Sequence, residues 1–249
     1  MRSLLLPAIL LAALGPLASA SMLYTVDTTL GGYPIKASAD FTPGNGTLSV
    51  TMSNLLANPT DIAQVIGAIS FDVSGFDALS GATLASSSGQ NVTIHGNSSY
   101  TLGAMGPSGW TAGWDNVAGV ILLCDICDII STDGSWPANF LIGPPGSNGT
   151  YSNANSTIAG SYIYNPFLSQ SATFVLNAPG VTADSRVTAV DFSLGPHFQT
   201  EATATLSGGG GAPGGGPSPV PEPASLLLAG GGLVLAGFMR RSGLRIRRG

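Results

Sequence analysis

Apolar and polar residues alternate with a period of two through the middle of the chain. Ile35, Ala37, Ala39 and Phe41 alternate with Lys36, Ser38 and Asp40, the pattern of a strand with one face buried. Asn45-Gly46 follows, a dipeptide suited to a tight hairpin turn. A two-residue loop there sets Phe41 opposite Val50 and Ala39 opposite Met52. All four then lie on one face, so turn and pattern agree. Tyr24 to Leu30 is an earlier strand by the same reasoning. Further strand faces are expected at Val65, Ile69, Phe71 and Val73, at Val92 and Ile94, and in the two apolar runs between Val117 and Ile130. Later ones are expected at Ala172, Phe174 and Leu176, at Val190, Phe192 and Leu194, and at Ala202, Ala204 and Leu206. Helical spacing occurs only weakly, over Leu55 to Ala68, where Pro59 interrupts it. Short strands between polar turns predict an all-β body, a jelly-roll-like β-sandwich with an open barrel as the alternative closure.

The alternation stops at both ends. Arg2, the apolar run Leu4 to Leu14 and the small-x-small site Ala18-Ser19-Ala20 read as a secretory signal over residues 1–20, with Ser21 as the new N-terminus. The apolar run is short for an uncleaved anchor. Residues 21–206 form the expected body and 207–219 a Gly/Pro-rich linker that cannot build a packed core. Residues 220–249 then fall into three parts: Val220-Pro221-Glu222-Pro223, an apolar run 224–239, and a tail 240–249 containing Arg240, Arg241, Arg245, Arg247 and Arg248. Sixteen helical residues rise about 24 Å, slightly under the ~30 Å hydrocarbon core. The run is therefore expected to be a single transmembrane helix, with the arginines as a membrane stop on the cytoplasmic side. A lipid-anchor signal would end in its apolar stretch, which these arginines exclude. A plain single-pass anchor accounts for the helix and the arginines but not for the Pro-Glu-Pro beside the membrane.

Charge narrows the function classes. Only 8% of the residues are charged, against about 25% in ordinary soluble domains. Between Ser21 and Pro219 two cations, Lys36 and Arg186, face twelve carboxylates, a net charge of −10. Such a body repels phosphate, so no nucleic-acid partner is expected.

Candidate chemistry is sparse. Cys124-Asp125-Ile126-Cys127 sits between apolar strand-like runs rather than at a helix start, where a redox pair belongs. A local disulfide in an exported protein is the favoured reading. A turn or bulge is needed for it, because strand residues three apart point to opposite faces. Zinc would need further ligands, and His95 and His197 each stand alone. Asp125, Asp128, Asp133 and Asp184 lack the spacing of a calcium loop. Gly106-Pro107-Ser108-Gly109-Trp110 has Trp where a nucleophile elbow needs its last Gly. The body has one Glu, Glu201, so a glycosidase pair would have to be built from Asp. No catalytic, cofactor or metal residue is therefore assigned. Trp110 and Trp114 lie among glycines and are candidates to stack on sugars; filling the rim of the core is the alternative.

The order Pro-Glu-Pro, short apolar helix, arginine cluster resembles the PEP-CTERM sorting signal of Gram-negative, exopolysaccharide-producing bacteria. Here the cluster is interrupted by Ser242-Gly243-Leu244. The resemblance implies export through signal peptidase and Sec-type machinery and transient anchoring in the inner membrane with the body in the periplasm. It also implies cleavage near Pro221-Glu222-Pro223 by an exosortase, an integral membrane Cys-dependent enzyme, and release to the cell surface. Two prolines hold that segment extended, the backbone shape a protease grips. The body resembles those of exosortase-dependent surface proteins in the early hairpin, Asp61 to Val73, Gly109-Trp110 with Trp114, and Val181 to Val187 leading into Val190-Asp191-Phe192. The function expected is a non-enzymatic structural or adhesive component of a biofilm or exopolysaccharide matrix. The alternatives are a carbohydrate-binding module acting on exopolysaccharide and a secreted hydrolase.

Overall fold

A computed structural model describes residues 20–125, 139–196 and 200–207. The chain divides between Gly210 and Gly211, and the second unit lies wholly outside the described residues. So do the expected transmembrane helix 224–239, the sorting motif and residues 1–19. Among the described residues no helix is long and apolar enough to cross a membrane.

The body is all-β, as the alternation predicts. Its strands are β1 (Met22–Leu30), β2 (Tyr33–Pro43), β3 (Thr47–Asn54), β4 (Ile66–Val73), β5 (Thr83–Ile94), β6 (Tyr100–Gly106) and β7 (Thr111–Asp115). They continue with β8 (Val120–Cys124), β9 (Leu141–Ile142), β10 (Phe167–Asn177), β11 (Val187–Leu194), β12 (Glu201–Thr203) and β13 (Thr205–Leu206). The β2–β3 hairpin has the expected register: Phe41 pairs with Val50 and Ala39 with Met52. All four are buried.

The strands form one open sheet rather than the two separate sheets of a jelly-roll sandwich. Its longest path runs β12-β11-β4-β9-β10-β3-β2-β1-β13. One wing is β12-β11-β4-β8-β7; the other is β6-β5-β10-β3-β2-β1-β13. The two-residue strand β9 joins them, antiparallel to β4 at Ile66 and parallel to β10 at Leu168 and Ser169. At the far end the segment 201–206 pairs first with β11 and then with β1. Short connecting strands of this kind let one hydrogen-bonded ladder turn the corner between wings. The pairing reaches Ser207, the first residue of the expected linker, whose N–H donates to the Leu23 carbonyl at 2.7 Å.

The main core lies between strands that are not ladder neighbours. Phe41 on β2 meets Phe71 on β4 edge-on, ring centroids 5.0 Å apart, while within the ladder Tyr24 of the adjacent β1 meets Phe41 at 5.8 Å. A second cluster gathers Val65, Ile94, Phe140, Tyr151, Ile158 and Phe167 with Cys124. Burial on both sides explains why Ile66 and Ala68 are as fully buried as Ile69 and Phe71: the start of β4 has no solvent face.

Helical structure in 55–68 is limited to one 3₁₀ turn, Ile62–Gln64. Asp61 caps it, and the Gln64 side chain answers by accepting from the Asp61 N–H at 3.1 Å, a capping box. Buried Asn54 pins this turn to the sheet by donating to the carbonyls of Gln64 (2.9 Å) and Leu141 (3.1 Å). Glycine is needed beside it: a Cβ on Gly143 would lie 1.9 Å from the Leu56 carbonyl oxygen. Two expected strand positions differ. Val117 is 93% exposed, because Asp115 accepts from the N–H groups of Val117 and Ala118 and makes a turn there. Leu206 is 41% exposed, since β13 is a two-residue edge.

Candidate interaction surface

Side chains on the outer face of the larger wing alternate with the core residues, and register aligns them into rows. One row runs Thr205, Thr25, Ser38, Ser53, Ser171 across β13, β1, β2, β3 and β10. The next runs Leu23, Asp40, Thr51, Thr173, Ser88 across β1, β2, β3, β10 and β5. A third holds Thr42, Ser49, Val175 and Ser86. Neighbours sit about 4.8 Å apart across the strands and about 6.8 Å apart along them. Thr51 and Thr173 share a hydroxyl–hydroxyl hydrogen bond of 3.1 Å. Asp40 is the single charge in the three rows. The result is a broad, nearly neutral hydroxyl face on an acidic protein, able to donate and accept hydrogen bonds in a repeating pattern. Register brings these residues together from strands far apart in sequence, so no local motif announces them.

The residues with expected chemistry are scattered. Trp110 is 3% exposed. Its ring packs on Phe174 with centroids 5.2 Å apart, and its indole N–H donates to the Asn139 carbonyl at 2.9 Å. Buried to this degree it is not open to a sugar, which corrects its assignment as a stacking residue; Gly109, at φ 79°, makes the turn that leads into it. Trp114 is half-buried on β7 and packs against Phe76 at 5.1 Å, keeping part of its ring in solvent. Cys124 is buried and disulfide-bonded; Cys127 lies outside the described residues, as do Asp128 and Asp133. Among the described residues no group of three His, Cys, Asp or Glu side chains could hold a metal ion.

Asp125 is the unusual acid. It is 6% exposed, and its Oδ2 has no hydrogen-bond partner among the described residues. Burial pushes its pKa up to about 8, so it holds its proton at neutral pH. Its N–H donates to the Gly67 carbonyl at 3.0 Å, which ties the end of β8 to β4. A shallow depression at the β1–β12–β13 seam is lined by Asp27, Glu201, Thr203 and Thr205 among others. Asp27 there is ion-paired with Lys36 at 2.9 Å.

Ala20 and Ser21 are exposed, immediately ahead of β1. A cut after Ala20 would therefore remove nothing from the sheet. Ala18 lies outside the described residues, as do Val220 to Pro223 and the five arginines of the tail.

A comparison with curated proteins found no match, and a comparison with solved structures found none. A comparison with protein families matched residues 219–248 to the PEP-CTERM protein-sorting motif. That span contains the Pro-Glu-Pro, the apolar run and all but the last residue of the arginine tail. The chain thus carries a PEP-CTERM protein-sorting motif at its C-terminus and is an exported protein addressed to an exosortase.

Proposed function

We propose that this protein is a non-enzymatic structural or adhesive component of an exopolysaccharide matrix, matured at both ends. Signal peptidase cuts after Ala20 during Sec-type export. The helix 224–239 then holds the chain in the inner membrane, arginines inward, while the body folds in the periplasm. The body's two wings act as the layers of a sandwich, and Cys124 is bridged to Cys127. Exosortase cuts near Pro221-Glu222-Pro223 and passes the body to the cell surface.

The sorting motif at 219–248 carries the delivery half of this reading. The hydroxyl rows support the adhesive half. A flat array of Ser and Thr hydroxyls offers hydrogen bonds to a repeating polyol without the charge that would repel an anionic matrix. Each bond contributes little in water, so retention on a polymer comes from many contacts at once.

Replacing Ser38 and Ser171 together by Glu tests this. The two share a row but are separated by β3, and neither is buried, so the new carboxylates do not face each other and the fold tolerates the change. The double variant should be retained less well than the wild type on isolated matrix polysaccharide at low ionic strength and keep the same thermal midpoint within a few degrees. Equal retention would place the adhesive contact elsewhere. Trp114, partly exposed beside Phe76, favours a second reading, a carbohydrate-binding module. Loss of retention in Trp114→Ala, with the double Glu variant unaffected, would select it.

A further inference from the structure

Asn-x-Ser/Thr is the acceptor sequence for a sugar on nitrogen. The chain has five: Asn45-Gly46-Thr47, Asn91-Val92-Thr93, Asn97-Ser98-Ser99, Asn148-Gly149-Thr150 and Asn155-Ser156-Thr157. A chain so rich in Ser and Thr contains several by chance, so the sequence alone selects none. The structure separates them. At Asn97 the side-chain Oδ1 accepts twice from Ser99, from its N–H at 3.2 Å and from its hydroxyl at 2.7 Å. At Asn148 it accepts from the N–H and the hydroxyl of Thr150 at 3.1 and 3.0 Å. The middle residue is left-handed in both turns, Ser98 at φ 68° and Gly149 at φ 75°. Glycine takes that conformation freely, whereas a serine is strained in it. Asn155 makes the same two bonds with Thr157, but its Nδ2 donates to the Asp61 carboxylate at 2.5 Å. Asn91 lies within β5, and its Oδ1 is buried with no hydrogen-bond partner among the described residues. At Asn45 the turn is closed instead by the Gly44 N–H on the Thr47 carbonyl at 2.8 Å.

We propose that Asn97 and, less readily, Asn148 are N-glycosylation sites, each taking a sugar from a donor activated as its diphosphate. In the transfer Nδ2 attacks the anomeric carbon. The bond from that carbon to the diphosphate oxygen breaks, and the diphosphate leaves with the electron pair. One Nδ2 proton passes to a base on the transferring enzyme. As that proton leaves, negative charge builds on Oδ1, where two donors already stand to stabilise it. Both asparagines are exposed. The Nδ2 of Asn97 has no hydrogen-bond partner among the described residues, so nothing has to be broken before it reacts. The Nδ2 of Asn148 donates to the Ser152 hydroxyl at 2.6 Å, a bond that the transfer must first release. That difference ranks Asn97 ahead. The two turns are neighbours: the Tyr151 N–H donates to the Ser98 carbonyl at 3.0 Å, and the Tyr100 and Tyr151 rings meet with centroids 5.7 Å apart. A sugar on either asparagine therefore occupies one patch of the body. The assignment depends neither on the adhesive reading of the hydroxyl rows nor on how the tail is cut.

Peptide mapping by electron-transfer tandem mass spectrometry, on the exported protein purified from its own cells, tests this. The Asn97 peptide should carry the added mass of one or more sugar residues on Asn97 itself. Asn148 should carry it in a smaller fraction of molecules, and Asn45 and Asn91 should be bare. Ser99→Ala should lose the sugar from Asn97 and keep that on Asn148, with an unchanged circular dichroism spectrum. Ser99→Thr, which restores the hydroxyl, should keep both. An unmodified Asn97 in the wild type overturns the proposal, including the case in which sugars are found on Ser or Thr hydroxyls alone. So does full occupancy of Asn97 in Ser99→Ala. Equal occupancy of Asn91 and Asn97 would also overturn it, because the turn would then not be what selects the site.

Discussion

Tyr24 donates its hydroxyl hydrogen bond to the Val187 carbonyl across 2.6 Å. The two residues lie 163 positions apart, on β1 and at the start of β11. The bond ties the first strand after the expected signal cut to the last long strand before the linker. Burial raises the Tyr24 pKa, so the phenol remains a donor well into the alkaline range. Tyr24→Phe keeps the ring contact with Phe41 and removes only the hydroxyl. It should cost about 1 kcal/mol, read as a lower urea midpoint with an unchanged m-value. An unchanged midpoint would mean that the Val187 carbonyl finds another donor.

The two tryptophans should behave differently. Trp110→Ala removes a buried indole from beside Phe174 and leaves the Asn139 carbonyl without its donor. A loss of roughly 3–5 kcal/mol is expected. Trp114→Ala gives up a partly exposed ring pair with Phe76, worth about 1 kcal/mol. Denaturant titrations of the two variants check the ordering. Equal losses would contradict the burial difference between them.

Asp125 makes stability depend on pH in a definite direction. Its native pKa of about 8 stands above its ordinary value of 3.8 because the carboxyl is buried. Below about pH 4 both native and unfolded states hold the proton, and the group has no effect. As pH rises toward 8 the unfolded chain releases that proton while the native state keeps it, so stability falls until the native group also ionises. Asp125→Asn removes this dependence. The variant should gain on the wild type by roughly 2–5 kcal/mol between pH 4 and pH 9, whatever constant offset the amide introduces. Parallel stability curves across that range would show that the carboxyl is not held neutral.

Legibility in the sequence followed burial. The β2–β3 hairpin could be read to the residue because Phe41, Ala39, Val50 and Met52 have one buried face and a turn that sets register. β6 gave no such signal: Thr101 to Met105 are all exposed, so no alternation marks the strand. β9 is two residues of an apolar run, too short for a period to appear. Val117 was misplaced because its apolarity reads as strand, while the neighbouring Asp115 carboxylate bends the backbone. Trp110 and Trp114 look alike in sequence, and only tertiary packing separates the buried ring from the half-open one. The sorting tail was legible for a different reason: its message lies in local composition and order, which needs no long-range pairing to be seen. The hydroxyl rows were hidden because they exist only once five strands are in register.

Processing at the tail is tested most directly by intact mass and C-terminal peptide mapping. The protein would be recovered from the cell surface of strains with and without the exosortase. With the enzyme present, the chain should begin at Ser21 and end near Pro221-Glu222-Pro223, with no peptide from 224–249. Without it, the arginine-ended chain should accumulate in the inner membrane. Surface material from the exosortase-containing strain that still carries Arg240 to Arg248 would contradict the account.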